Sequence, residues 1–249
     1  MMRQSVVIAM LVTAGLIAGT VRAQETQKAA ATTQARPAME LDQTDPQTGL
    51  ASYLKARKGM DYAAIQKCIV CTDSTKKAFV DVLINYNMWS FYLERTAIAK
   101  FGPANGLTVL GHLRSVDTQI TMDLKRVLEA NITYSGNRDS ADIYLRVERD
   151  RPEGLQASDQ LNFLDHYVMI KQGSDWKVDY IKTYQCDDPE KEDTYKYQTE
   201  AYPKISKAMK EISAQIKDGT ISNADSAKSI LEAKQDNATP DGATGGGDK

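Results

Sequence analysis

Gly173-Ser174-Asp175-Trp176-Lys177-Val178-Asp179-Tyr180 is the stretch that decides the fold. Gly173-Ser174 reads as a tight turn, after which Trp176, Val178 and Tyr180 alternate with Lys177, Asp179 and Ile181. Period-two alternation leaving a short turn is the pattern of a half-buried strand in a hairpin. The partner strand is Leu161 to Lys171. One face carries Leu164, His166, Val168 and Ile170, the other Phe163, Asp165, Tyr167 and Met169. Both faces are largely apolar, so this strand is expected to be central and covered on both sides. Upstream, Ala141, Ile143, Leu145 and Val147 alternate with Asp142, Tyr144, Arg146 and Glu148, and Ile132 and Tyr134 precede a Ser135-Gly136-Asn137 turn. Strands joined by such short connections form an antiparallel meander.

The region before the meander has helical periodicity. Leu50, Tyr53 and Leu54 share one face of a helix that starts near Thr48 and ends at Gly59, and Asp61 caps a second helix bearing Tyr62 and Ile65. Ser74 is the candidate cap of a long helix in which Phe79, Leu83, Tyr86, Leu93, Ala97 and Phe101 make one stripe, widened by Val82 and Trp89. An apolar surface that wide predicts a largely buried helix. Gly102-Pro103 stops it, residues 103–116 read as loop, and Asp117 caps a helix with Ile120, Leu124, Val127 and Leu128. After Cys186 the acidic run of residues 187–193 marks a boundary. A further helix carries Ile205, Met209, Ile212 and Ile216, and a short last one carries Ala227, Ile230 and Leu231. The expected layout is a signal peptide at 1–23, a disordered linker at 24–46, an α+β domain at 48–186, a helical appendage at 193–234 and a disordered tail at 235–249.

The leader is the reason to expect export. Met1-Met2-Arg3 is a positive start, Val6 to Ala18 is mostly apolar, and Val21-Arg22-Ala23 offers a small residue before Gln24. The alternative is an uncleaved anchor, and only then would the membrane be a partner. No Cys ends the apolar run, which argues against a lipid-modified N-terminus. Cleavage would take the formal charge from −2 to −4, because Arg3 and Arg22 leave with the leader. A mildly acidic, mixed surface gives nucleic acid no basic patch to bind. Nothing in the chain calls for a cofactor or fixes an oligomeric state.

Helices first, a long buried helix, then a meander closing on Gly173-Ser174-Asp175-Trp176-Lys177-Val178: this layout resembles the nuclear transport factor 2-like superfamily. The opening Leu50-Ala51-Ser52-Tyr53-Leu54-Lys55-Ala56 with Gly59-Met60-Asp61-Tyr62 adds to the resemblance, which covers about residues 48–186. It implies a cone of helices on a curved sheet, with a cavity that members use as a binding pocket, as an isomerase or cyclase active site, or merely as packed core. The long helix and the helical appendage depart from the basic cone. The overall layout resembles exported bacterial members.

Candidate chemistry is sparse. Asp165 and His166 are adjacent on a strand, so they point to opposite faces and cannot form a dyad. Either one facing the cavity is a candidate general base, and Tyr144 and Tyr167 are candidate phenols to polarise a carbonyl. Cys68 and Cys71 are spaced Cys-x-x-Cys, but they follow a helix where a redox dithiol would precede one. No His follows Cys71 for haem, and the ligands needed for zinc are lacking. In an oxidising compartment three cysteines allow one bridge. The expectation is Cys71 to Cys186, with Cys68 the free or alternative thiol. The functional expectation is a non-enzymatic exported domain that binds a small apolar ligand or a protein partner in the cell envelope. The alternative is a cone-fold isomerase or cyclase using a cavity carboxylate or His.

Overall fold

Asp45 opens the first helix. Its carboxylate accepts the backbone N–H groups of Gln47 at 2.8 Å and Thr48 at 2.9 Å, and Thr48 Oγ1 accepts the Asp45 N–H at 3.2 Å. This capping box, with Pro46 in the first position, starts α1 (Pro46–Gly59). The computed structural model describes residues 39–145 and 166–238. Met60 ends α1 in the left-handed conformation, and Asp61 caps α2 (Tyr62–Cys68), which leads directly into the two-residue strand β1 (Ile69–Val70). Asp73 caps a 3-10 turn that runs into α3 (Lys77–Phe101). Gly102, at φ 82°, stops α3, and Pro103 begins α4 (Pro103–Thr108). Then come α5 (Val116–Val127), β2 (Asn131–Tyr134), β3 (Ser140–Tyr144), β4 (His166–Gln172), β5 (Asp175–Asp179), α6 (Tyr180–Tyr184), α7 (Glu192–Asp218) and α8 (Ala224–Ala238).

The fold is α+β. The sheet order is β1-β5-β4-β3-β2. Strands β2 to β5 form the expected antiparallel meander, but β1 adds parallel to β5 through Ile69↔Val178 and Val70↔Asp179, so the sheet is mixed. Two apolar residues at a helix end carry no periodicity, which is why β1 escapes a sequence reading. β4 is central, as expected. Its inner face is fully buried at Tyr167 and Met169, while His166, Val168 and Ile170 on the outer face are half-buried.

Several boundaries differ from expectation for local reasons. Tyr180 does not continue β5: Asp179 Oδ1 accepts the Lys182 N–H at 3.3 Å and turns the chain into α6. Ser115, not Asp117, caps α5. Asp73 starts the approach to α3 ahead of Ser74. Part of the 103–116 loop is α4. The expected linker stops short of residue 46, because Met39 and Leu41 pack on the core and Gln43 O accepts the Trp176 N–H at 2.8 Å. The last helix runs on to Ala238. The leader, residues 24–38, residues 146–165 (where the ends of two strands and the loop between them were expected) and the tail from 239 lie outside the described residues.

Two apolar cores share α3. The first lies between α1, α2, the α3 N-terminal half and the inner sheet face, and includes Leu50, Leu54, Leu83, Ile143, Met169 and Val178. The second joins Leu93 and Ala97 of α3 to Val109 and to Ile205, Met209, Ile212 and Ile216 of α7, with Ala227 and Leu231 of α8. The α7 stripe thus docks within the chain. Gly49 sets how close α1 comes to β5: a Cβ there would lie 2.6 Å from Trp176 O.

Candidate functional site

A polar cluster sits inside the first core. Tyr53 and Arg57, one turn apart on α1, Asp123 on α5, Tyr167 on β4 and Tyr180 and Tyr184 on α6 converge there. The Tyr53 and Tyr184 hydroxyls hydrogen-bond to each other at 2.8 Å. Tyr53 meets Tyr167 edge-on at 6.4 Å, Tyr180 stacks on Tyr184 at 4.2 Å, and the Arg57 guanidinium lies 5.8 Å from the Tyr53 ring centroid. Burial drives the phenols of Tyr53, Tyr167 and Tyr180 well above their ordinary range, so all three are neutral donors at physiological pH.

Asp123 is the titratable centre of the cluster. It is buried, with Oδ1 accepting Gln119 Nε2 at 2.9 Å and lying 3.5 Å from Arg126 Nη1. Burial pushes its pKa up to about 6, against the pull of Arg57 and Arg126. Asp123 Oδ2 is buried without a hydrogen-bond partner among the described residues. The Tyr167 hydroxyl, also buried, has Arg57 within hydrogen-bonding reach and feels the charges of Arg57 and Asp123. The adjoining cavity, lined by Tyr53, Arg57, Ile65, Asn87, Phe91 and Tyr180 among others, holds about 20 Å³, room for a single water molecule.

The sequence candidates separate. Tyr167 points into this cluster. Tyr144 and His166 do not: they face outward as a cross-strand pair, stacked at 4.4 Å, and His166 Nε2 is 2.7 Å from Asp142 Oδ1. Asp165 lies outside the described residues. The aromatic residues of α3 also divide. Phe91 lines the cavity, whereas Tyr86 stacks on Tyr202 of α7 at 4.0 Å, and Trp89 and Tyr92 lie under Lys210 and Lys217. The three cysteines are free thiols. Among the described residues no group of three or more His, Cys, Asp or Glu is placed to hold a metal ion, and no helix is long and apolar enough to cross a membrane.

Asp123 and Arg57 have a sequence signal that is easy to pass over. Asp123 lies three residues after Ile120 and four before Val127, and Arg57 lies four after Tyr53, so both occupy core-facing helix positions. Glu94 repeats the pattern inside the α3 stripe. It is fully buried, accepts the Val116 N–H at 2.9 Å and Ser115 Oγ at 3.0 Å, and sits 2.6 Å from His112 Nδ1. This second buried carboxylate fastens the α4–α5 loop to α3 and serves structure. No family model, curated protein or solved structure matches the chain, so the nuclear transport factor 2-like resemblance gains no support from such comparisons.

Proposed function

We propose that this chain is an exported, non-enzymatic α+β domain of cone type that acts by binding a protein partner in the cell envelope. The observation that carries the reading is how little room the interior has among the described residues. A pocket for an organic ligand needs roughly 300 Å³ or more, and the cavity at the polar cluster offers about 20 Å³. The small apolar ligand considered beside a protein partner therefore has little support. A groove of about 290 Å³ between α7 and α8 is lined by Lys204, Lys207, Glu211 and Lys234, which suits no apolar molecule. The outer surface offers more to a protein. Leu128 is 78% exposed and Tyr144 47%, and both adjoin the Asn131 end of β2, which among the described residues is an edge strand paired only with β3. Exposed apolar side chains beside an open strand edge are a common basis for recognition. The meander with helices on one face supports the cone reading, and the leader supports export.

A cone-fold enzyme of isomerase or cyclase type is the second reading. One observation favours it: a buried carboxylate titrating near 6 in the same cluster as a buried, neutral phenol. In that reading Asp123 is the base and Tyr167 the donor to a carbonyl oxygen. Photo-crosslinking from positions 128 and 144 in exporting cells separates the two. The partner reading expects a discrete protein adduct from these positions and none from an exposed position on α8 such as Lys228. Absence of any adduct, together with turnover of a carbonyl substrate that Asp123→Asn abolishes, would establish the enzyme instead.

A further inference from the structure

We propose that Cys71 and Cys186 are joined by a disulfide when the folded protein meets a disulfide oxidant, and that Cys68 remains a thiol. The topology brings the two together. Val70 is in register with Asp179, so Cys71 follows directly on the partner of the last β5 residue. Thr72 Oγ1 reaches both carboxylate oxygens of Asp179 at 3.2 Å, which holds this segment against the start of α6. At the other end, Gln185 turns left-handed at φ 51°, and the Cys186 N–H donates to Ile181 O at 2.9 Å. That turn folds Cys186 back onto the first turn of α6, which Asp179 caps. Cys71 is also among the groups that act electrostatically on the Cys186 thiol. Cys68 has different neighbours. It ends α2, is fully buried in the first core, and feels Lys177 and Asp61 but no other thiol.

The role follows from the length of β1. Two residues in parallel pairing form a weak edge, and the bridge staples that edge to the point where the chain leaves the sheet for α7. The chemistry balances with a small-molecule or enzyme disulfide, RSSR, as oxidant. Cys71, the more exposed thiol, attacks one sulfur as its thiolate. The S–S bond of RSSR breaks, and RS⁻ leaves and takes up a proton. The Cys186 thiolate then attacks Cys71 Sγ in the mixed disulfide and expels the second RS⁻. Two protein thiols are oxidised and one RSSR is reduced to two RSH. Burial raises both thiols, so formation is slow near neutral pH, and Cys186 is a poor leaving group once bridged.

The test uses the folded full chain without its leader, incubated with oxidised glutathione at mildly alkaline pH, then alkylated in denaturant. The expected result is one alkylated cysteine, a monomer lighter by two hydrogens before alkylation, and tryptic fragments 68–76 and 183–191 linked to each other. Both Cys68 and Cys71 fall in the first fragment, so fragment-ion sequencing must place the link on Cys71. Cys68→Ala is expected to leave no free thiol and to keep the link. Bridging is expected to raise Tm by about 10 °C, reversed by reductant, because the closed loop exceeds a hundred residues. Three alkylated thiols after oxidation, a link through Cys68, or a link between chains would overturn the proposal. A bridge that leaves Tm unchanged would overturn the stapling role.

Discussion

Asp123 turns the buried cluster into a measurable pH dependence. Its carboxyl titrates near 6 in the folded chain and near 3.8 when unfolded. Between those values the folded state binds more protons than the unfolded one, so this group lowers stability as pH rises. Its contribution is most favourable below about 4, falls through the interval, and is flat above about 6. The size is on the order of 3 kcal/mol. Denaturant titrations of the wild type and Asp123→Asn at pH about 4 and about 7 should show the wild type losing that much relative to the variant. A constant difference would mean that Asp123 is solvated. Glu94 behaves differently, because it accepts from the Val116 N–H and the Ser115 hydroxyl and sits against His112. Truncation to Ala removes the acceptor of the buried Val116 N–H and of the Ser115 hydroxyl, and is expected to cost about 3 kcal/mol in the same measurement. Neither carboxylate announces itself by type. Each is visible only as a charge on the apolar side of a helix, a position that sequence reading assigns to solvent unless the stripe is drawn residue by residue.

The elements were legible where a repeat runs long enough. The α3 stripe, the β3 alternation and the 4, 3, 4 spacing of Ile205, Met209, Ile212 and Ile216 each span several turns or strand positions. Phe79, Leu83, Leu93 and Ala97, Ala141, Ile143 and Leu145, and all four of the last set are buried, while Tyr86, Trp89 and Phe101 are half-buried. Short elements were not legible. β1 has two residues and α4 has six, and α6 begins within what reads as the continuing alternation of β5. There the outcome rests on single hydrogen bonds, such as the Asp179 cap, which outweigh a weak period. Pro203 interrupts the donors of α7, yet the helix runs through it, with Tyr195 and Tyr202 packed on Phe79 and Tyr86 of α3 before it and the Ile205–Ile216 stripe docked on α3 after it. Close approach of elements is equally silent in sequence. Gly49→Ala should push α1 off the β5 backbone at Trp176 and lower stability by about 1–3 kcal/mol, whereas Gly136→Ala, at an open turn, should change it little. Paired thermal melts of the two variants check this.

At the scale of the whole molecule, α3 is the shared wall. Its first half closes the core over the sheet and its second half seats α7, so the appendage is part of the folded body and no detachable arm. That packing leaves the inner sheet face occupied by Tyr53, Tyr167, Tyr180 and Arg57 where a cone-type binder would have an open pocket. The proposed binding function would then lie on the surface of the chain. The most direct measurement is a titration of the native protein with 1-anilinonaphthalene-8-sulfonate, an apolar anion suited to an aromatic pocket carrying Arg57. The closed interior predicts no saturable site. One site per chain, saturable and abolished by Arg57→Leu, would contradict it and return the interior to the role of a ligand pocket.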